Sequence, residues 1–196
     1  MTRASENATG GEIATLRIER DFRGASLPAT HQAELRLTRE PAHLRLDVDA
    51  PYFGDPAPRS APGPTDRLWD YEVCELFIAD TAQRYLEVEL SPHGHHLVLE
   101  LFGVRNVVRS RLPLDYQVHI AEDPAPEQPA ELHSPRGRYR GVAWIPWSYL
   151  PSGAARVNAY LIHGTDVARC YHAHRPTHGE VADFHQLECF APVHFG

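Results

Sequence analysis

The segment Tyr85 to Leu90 reads YLEVEL, and its strict alternation limits what the chain can fold into more than any other feature. Successive Cβ atoms of an extended backbone point to opposite faces, so Leu86, Val88 and Leu90 share one side and Tyr85, Glu87 and Glu89 the other. One side reads as core and the other as polar. Segments of the same kind recur between turn signals, and no sustained 3.6-residue period appears. They are Ile13 to Ile18, Glu34 to Thr38, His43 to Val48, Tyr71 to Ile78, Tyr85 to Leu90, His96 to Phe102, Tyr116 to Ile120, Tyr139 to Ile145, Val157 to Ile162 and Gln186 to Phe190. This pattern predicts an all-β fold, an antiparallel β-sandwich of about ten strands with little helix. One helical turn is expected at Pro146 to Leu150, because proline suits a first helical position and Pro151 stops the turn.

A chain of 196 residues is long enough for one sizeable core. The expected organisation is a flexible N-terminus over residues 1–11, then a single sandwich domain over 12–196. Pro51 to Thr65 holds five prolines and two glycines and reads as a long loop, the kind of segment that often carries function. Glu122 to Arg138, with four prolines, reads as a second loop.

The net charge is -7, from 26 acidic and 19 basic residues, and the basic residues form no patch or tail. That argues against a surface tracking phosphate backbones and against an anionic membrane partner. Met1 to Gly11 is small and polar, so neither a secretory signal nor a membrane span is expected, and the location is read as cytoplasmic. The three cysteines are widely spaced within apolar runs and read as buried thiols, not a disulfide framework.

If a strand runs through Tyr71, then Trp69, Tyr71, Val73, Glu75 and Phe77 share a face on which a carboxylate sits among aromatic and branched side chains. An aromatic platform flanked by carboxylates suits a sugar, whose C–H faces stack on rings while its hydroxyls donate to acids. On that reading Trp69, Tyr71, Glu72, Glu75 and Glu87 bind ligand. On the plainer reading Trp69 and Tyr71 fill a core and the glutamates are solvated on the outer face.

The string LWDYEVCELFIADTAQRYLEVELSPHGHHLVLEL, with RNV at Arg105 to Val107, IPWSYLP at Ile145 to Pro151, IHG at Ile162 to Gly164 and DFHQLECF at Asp183 to Phe190, resembles an uncharacterised protein family with vertebrate and bacterial members. More distantly it resembles family 9 carbohydrate-binding modules and DOMON-like sandwiches. The resemblance implies a β-sandwich that binds a ligand, a carbohydrate or similar small polar molecule. Trp69 and Glu75 fall in the stretch similar to the modules' W-x-x-x-x-x-E-x-F segment, and Arg84 lies where their next strand supplies polar contacts. Where such modules tend to show A-W-x-P, this chain has Ala173, His174, Arg175 and Pro176, which puts His174 in the place of a second aromatic wall. The candidate ligand-binding residues are therefore Trp69, Tyr71, Glu75, Arg84, Glu87 and His174.

Thirteen histidines are the compositional anomaly. His93, His95 and His96 sit in the turn SPHGHH, and His172, His174, His178 and His185 lie near the C-terminus with Glu180 and Asp183. A set of His93, His96, His163 and His185 could hold a transition metal if folding brought it together. The alternative is that most are surface imidazoles, with His163 and His185 hydrogen-bonded inside the fold. The DOMON resemblance raises haem, but Met1 is the only methionine, which leaves no interior partner for a His–Met site. No nucleophile-elbow, H-E-x-x-H, C-x-x-C or phosphate-loop pattern occurs, so no catalytic residue is assigned and no cofactor named. Three functions stay open: a noncatalytic binding sandwich for a glycan or other small molecule, a metal- or haem-associated enzyme or sensor, and a protein-interaction domain using the Pro51 to Thr65 loop.

Overall fold

The computed structural model describes residues 10–123 and 134–195. Their strands are, in chain order, β1 (Glu12–Ile18), β2 (Arg20–Asp21), β3 (Ala33–Arg39), β4 (His43–Tyr52), β5 (Gly63–Pro64), β6 (Val73–Ala79) and β7 (Arg84–Leu90). They continue as β8 (His95–Phe102), β9 (Val107–Arg109), β10 (Asp115–Glu122), β11 (Gly137–Pro146), β12 (Arg156–His163), β13 (Cys170–Ala173) and β14 (Ala191–Pro192). Two sheets result. The smaller runs β1-β3-β4-β11-β10, and the larger runs β2-β13-β12-β6-β7-β8-β5, with β14 added to β12 and β9 to β8. Pairing is antiparallel throughout apart from the short parallel contact of β5 with β8. The all-β sandwich is thus the observed fold.

Alternation explains how the sheets meet. Leu35, Leu37, Leu44, Leu46 and Ile145 of the smaller sheet pack on Cys74, Leu76, Ile78, Leu86, Val88 and Leu161 of the larger in one buried cluster. Burying a side chain of this size contributes roughly 1.5–3 kcal/mol relative to exposure, so this interface is the main store of stability. The larger sheet has a second apolar cluster on its other face, where Val73, Phe77, Tyr85, Leu99 and Tyr160 meet Leu68, Phe184, Leu187 and Phe190 from outside the strands. The C-terminal segment is therefore a roof over the outer face.

Three expectations need correction. Gln186 to Phe190 is not a strand but contains a 3-10 turn, Leu187–Cys189, because Leu187 and Phe190 are three residues apart and both bury onto the outer face. Trp69 and Tyr71 do not belong to β6: Leu68–Asp70 is another 3-10 turn, entered through Arg67 at φ 56°, and pairing with β12 begins at Val73. Pro51 is not in a loop but inside β4, opposite Arg138 of β11. The β3 ladder on the other side of β4 has already ended at Asp49, which leaves the open flank a proline tolerates. The helical turn expected near Pro146 is the 3-10 turn Trp147–Tyr149. The flexible start expected over 1–11 lies outside the described residues up to residue 9, as does most of the Glu122 to Arg138 loop. Among the described residues, no helix is long and apolar enough to cross a membrane.

Candidate functional site

Register places three carboxyl groups together. β6 and β7 pair with Glu75 opposite Glu89 and Phe77 opposite Glu87, so alternation turns Glu75, Glu87 and Glu89 to the same, outer face. One carboxylate oxygen from each lies within 4.8 Å of the others. Like charges directly across a ladder oppose one another, and here they do so out of water: Glu75, Glu87 and Glu89 are only 2%, 4% and 0% exposed. The reading of these glutamates as solvated outer-face residues is therefore wrong, because the roof covers the face that alternation marks as polar.

Burial, the largest cause, pushes all three carboxyls up. Glu87 rises to about 7. Glu75 rises well above its ordinary value, raised further by Glu87 and partly offset by Arg169. Glu89 rises well above it too, with the charges of Glu75 and Glu87 adding to burial. Oε2 of Glu87 and both oxygens of Glu89 accept no hydrogen bond from an N–H group, and the carboxyl groups of Glu87 and Glu89 lie close enough to share a proton, which lowers Glu87 and raises Glu89. The Trp69 backbone N–H points toward Glu89 without closing a hydrogen bond.

Glu75 and Glu87 open onto a cavity of about 730 Å³ on the outer face. Trp69 stands at its rim, 40% exposed. Tyr171 of β13 and Phe184 of the roof also line it, Phe184 being stacked on Tyr160 at 3.8 Å and met edge-on by Tyr171 at 5.9 Å. Leu99, Leu101 and Ile162 complete an apolar floor. The volume falls in the usual range for a small-molecule pocket, and so does the mixture of apolar walls with few polar groups.

Two arginines border the cavity, and each is engaged by other groups. Arg105 pairs with Asp183 at 2.7 Å. Arg169 donates to the carbonyls of Trp69, Asp70, Tyr71 and Gly164, which fixes the 3-10 turn that carries Trp69. The Arg105 backbone N–H donates to the Tyr85 hydroxyl at 3.0 Å, leaving the Tyr85 proton for Nδ1 of His185 at 2.7 Å. Burial, and then the charge of Arg105, lower His185 to about 4, so the ring is neutral at pH 7. With Nδ1 accepting, its proton sits on Nε2, a donor on a residue of the cavity wall.

Of the expected ligand-binding residues, Trp69, Glu75 and Glu87 come together in this cavity. Tyr71 packs beneath the wall, with its carbonyl on Arg169. Arg84 is elsewhere, lying over the Phe102 ring at 4.9 Å, because the β7–β8 register places it beside Phe102 at the sheet end. His174 is also elsewhere, at the start of the loop after β13, with Nδ1 on the Arg17 carbonyl at 2.9 Å. Glu72 is taken up by the fold, since its carboxylate accepts the backbone N–H groups of Phe53 and Asp55 and so anchors the chain after β4.

The histidine set is dispersed. His93 approaches the Asp55 carbonyl, His96 lies edge-on to Tyr116, His163 stacks on Phe53 at 3.5 Å, and His185 bonds Tyr85. Among the described residues, the group close enough to share a metal ion is Glu75, Glu87 and Glu89, with no histidine in it. Sequence reasoning missed Arg105, Tyr171, Asp183 and Phe184 as cavity residues. Arg105 and Phe184 were visible only as members of the RNV and DFHQLECF strings, whose spacing says nothing about meeting β7 in space.

No family model matches the chain. It is similar to the rat UPF0462 protein C4orf33 homolog, with 41% identity over 180 residues covering 87% of this chain and 83% of that protein. The human UPF0462 protein C4orf33 is 38% identical over 189 residues, covering 91% and 87%. The zebrafish homolog is 37% identical over 175 residues, covering 84% and 82%. Among solved structures, the chain resembles a Bacteroides uniformis protein described as a "putative carbohydrate-binding protein", with a TM-score of 0.68 and 16% identity, covering 92% of this chain and 85% of that one. At that identity the likeness is one of fold.

Proposed function

The chain belongs to the UPF0462 family, and we propose that it is a noncatalytic binding sandwich that holds a carbohydrate or similar small polyhydroxylated molecule in the outer-face cavity. The observation that carries this reading is that Trp69, Tyr171 and Phe184 line one cavity together with Glu75, Glu87 and His185. The rings offer faces for the C–H surface of a sugar, and the carboxyl groups and Nε2–H offer hydrogen bonds to hydroxyls. Tyr171 and Phe184 take the part of the second wall that the sequence comparison gave to His174. The fold neighbour described as a "putative carbohydrate-binding protein" supports the same ligand class. The proposal includes the relation to family 9 carbohydrate-binding modules and DOMON-like sandwiches, bacterial relatives, one domain over 12–196 and a cytoplasmic location.

Calorimetry across a panel of mono- and disaccharides tests it. Saturable binding is expected, with affinity falling about tenfold or more in Trp69→Ala while the melting temperature stays near wild type. A folded protein that binds no member of the panel rules the reading out.

A further inference from the structure

The three carboxyl groups are a poor match for a neutral sugar alone. Both oxygens of Glu89 and one of Glu87 lie buried with no N–H donor, and neither bordering arginine is hydrogen-bonded to the cluster. Burying charge without a partner costs several kcal/mol, so the cluster keeps protons at neutral pH and does not ionise fully. Glu89 is the telling member. It is fully buried, aimed at Glu75 and Glu87 from behind the cavity wall, and apart from the proton it shares with Glu87 it has no donor. What the oxygens lack is a compact donor of positive charge.

A primary ammonium has three donors at tetrahedral angles, and with charge-assisted bonds of about 2.8 Å its acceptors stand about 4.6 Å apart. The three carboxyl groups bring oxygens no farther than 4.8 Å from one another, and Glu75 and Glu87 face the cavity where such a donor would stand. The surrounding wall of Trp69, Tyr171 and Phe184 suits an organic cation, because ring faces attract positive charge. We infer that the ligand carries an amino group, which docks on Glu75 and Glu87 with the carboxyl of Glu89 behind them, while its hydroxyl-bearing body lies along Trp69: an amino sugar or another polyhydroxylated amine. The inference rests on the reading of this cavity as a small-molecule site. Docking replaces carboxyl protons with N–H donors, so protons leave for solvent. Arg105, Arg169 and Asp183 surround the cluster, and Asp183 stays paired with Arg105 throughout.

Calorimetry on the full chain with matched pairs, glucosamine against glucose, galactosamine against galactose and mannosamine against mannose, separates the outcomes. At pH 7 at least one amine is expected to bind about tenfold or more tightly than its hydroxyl twin. Repeating the titration in two buffers of different ionisation enthalpy is expected to show proton release in the wild-type protein. Glu87→Gln and Glu89→Gln, with folding checked by circular dichroism, are expected to lower amine affinity toward that of the twin. Equal affinity within every pair overturns the amine inference and leaves the sugar reading standing. No binding by any member of any pair overturns both. Uptake of Ca²⁺ or Mg²⁺ that is lost in Glu87→Gln, with no preference for amines, overturns the inference in favour of a metal site.

Discussion

The two faces of the larger sheet are buried to nearly the same degree and are built on opposite terms. Toward the smaller sheet, β6 and β7 present Cys74, Leu76, Ile78, Leu86, Val88 and Leu90, all apolar and all packed. Toward the roof, the same two strands present Val73, Glu75, Phe77, Tyr85, Glu87 and Glu89. The first face loses nothing by leaving water, whereas the second gives up carboxylate hydration without gaining N–H donors. A fold selected for stability alone would have apolar residues at 75, 87 and 89. Perturbed titratable groups in a cleft are what binding and catalytic sites are built from, so the contrast between the faces supports the proposed placement of the ligand site on the outer one.

The largest effect is expected on the inter-sheet face. Leu76→Ala leaves a cavity between the sheets and lowers stability by about 3 kcal/mol, measured by urea denaturation at any pH between 6 and 8. On the outer face the sign reverses. Folded Glu75, Glu87 and Glu89 have carboxyl values raised above the unfolded ones, so their contribution is fully present below the unfolded value near 4.5 and is lost as pH rises through the folded values, Glu87 at about 7. Glu89→Gln removes one proton-binding group and is expected to melt about 3–6 °C above wild type at pH 8, with the gap closing toward pH 5. A variant that melts below wild type at pH 8 would mean that Glu89 contributes folding energy as an anion. The smallest effect belongs to the cavity edge. Asp183→Asn weakens the half-exposed pair with Arg105 and costs under about 1 kcal/mol, read from the same urea curves.

Much of the fold was legible because a strand repeats every two residues. The YLEVEL alternation identified the inter-sheet face of β7 correctly, and nine of the ten expected segments overlap observed strands. The failure at Gln186 to Phe190 has a local reason: apolar residues three apart were read as strand when they belong to a 3-10 turn. Glu75, Glu87 and Trp69 were legible as a platform, whereas Arg84 and His174 were carried over by similarity to places where this chain has other contacts.

What the sequence by itself determined is which side chains of each strand share a face, since that depends only on backbone geometry. It did not determine what covers each face. Alternation assigns Glu75, Glu87 and Glu89 to the polar side, and whether that side meets water depends on a segment about 100 residues later in the chain. Only the tertiary structure brings Phe184 and His185 over β7, Arg169 under Trp69 and Arg105 beside Tyr85. That covering turns three ordinary surface glutamates into buried, proton-holding groups, because a carboxyl group's charge is set by its solvent and neighbours and not by its place in the chain.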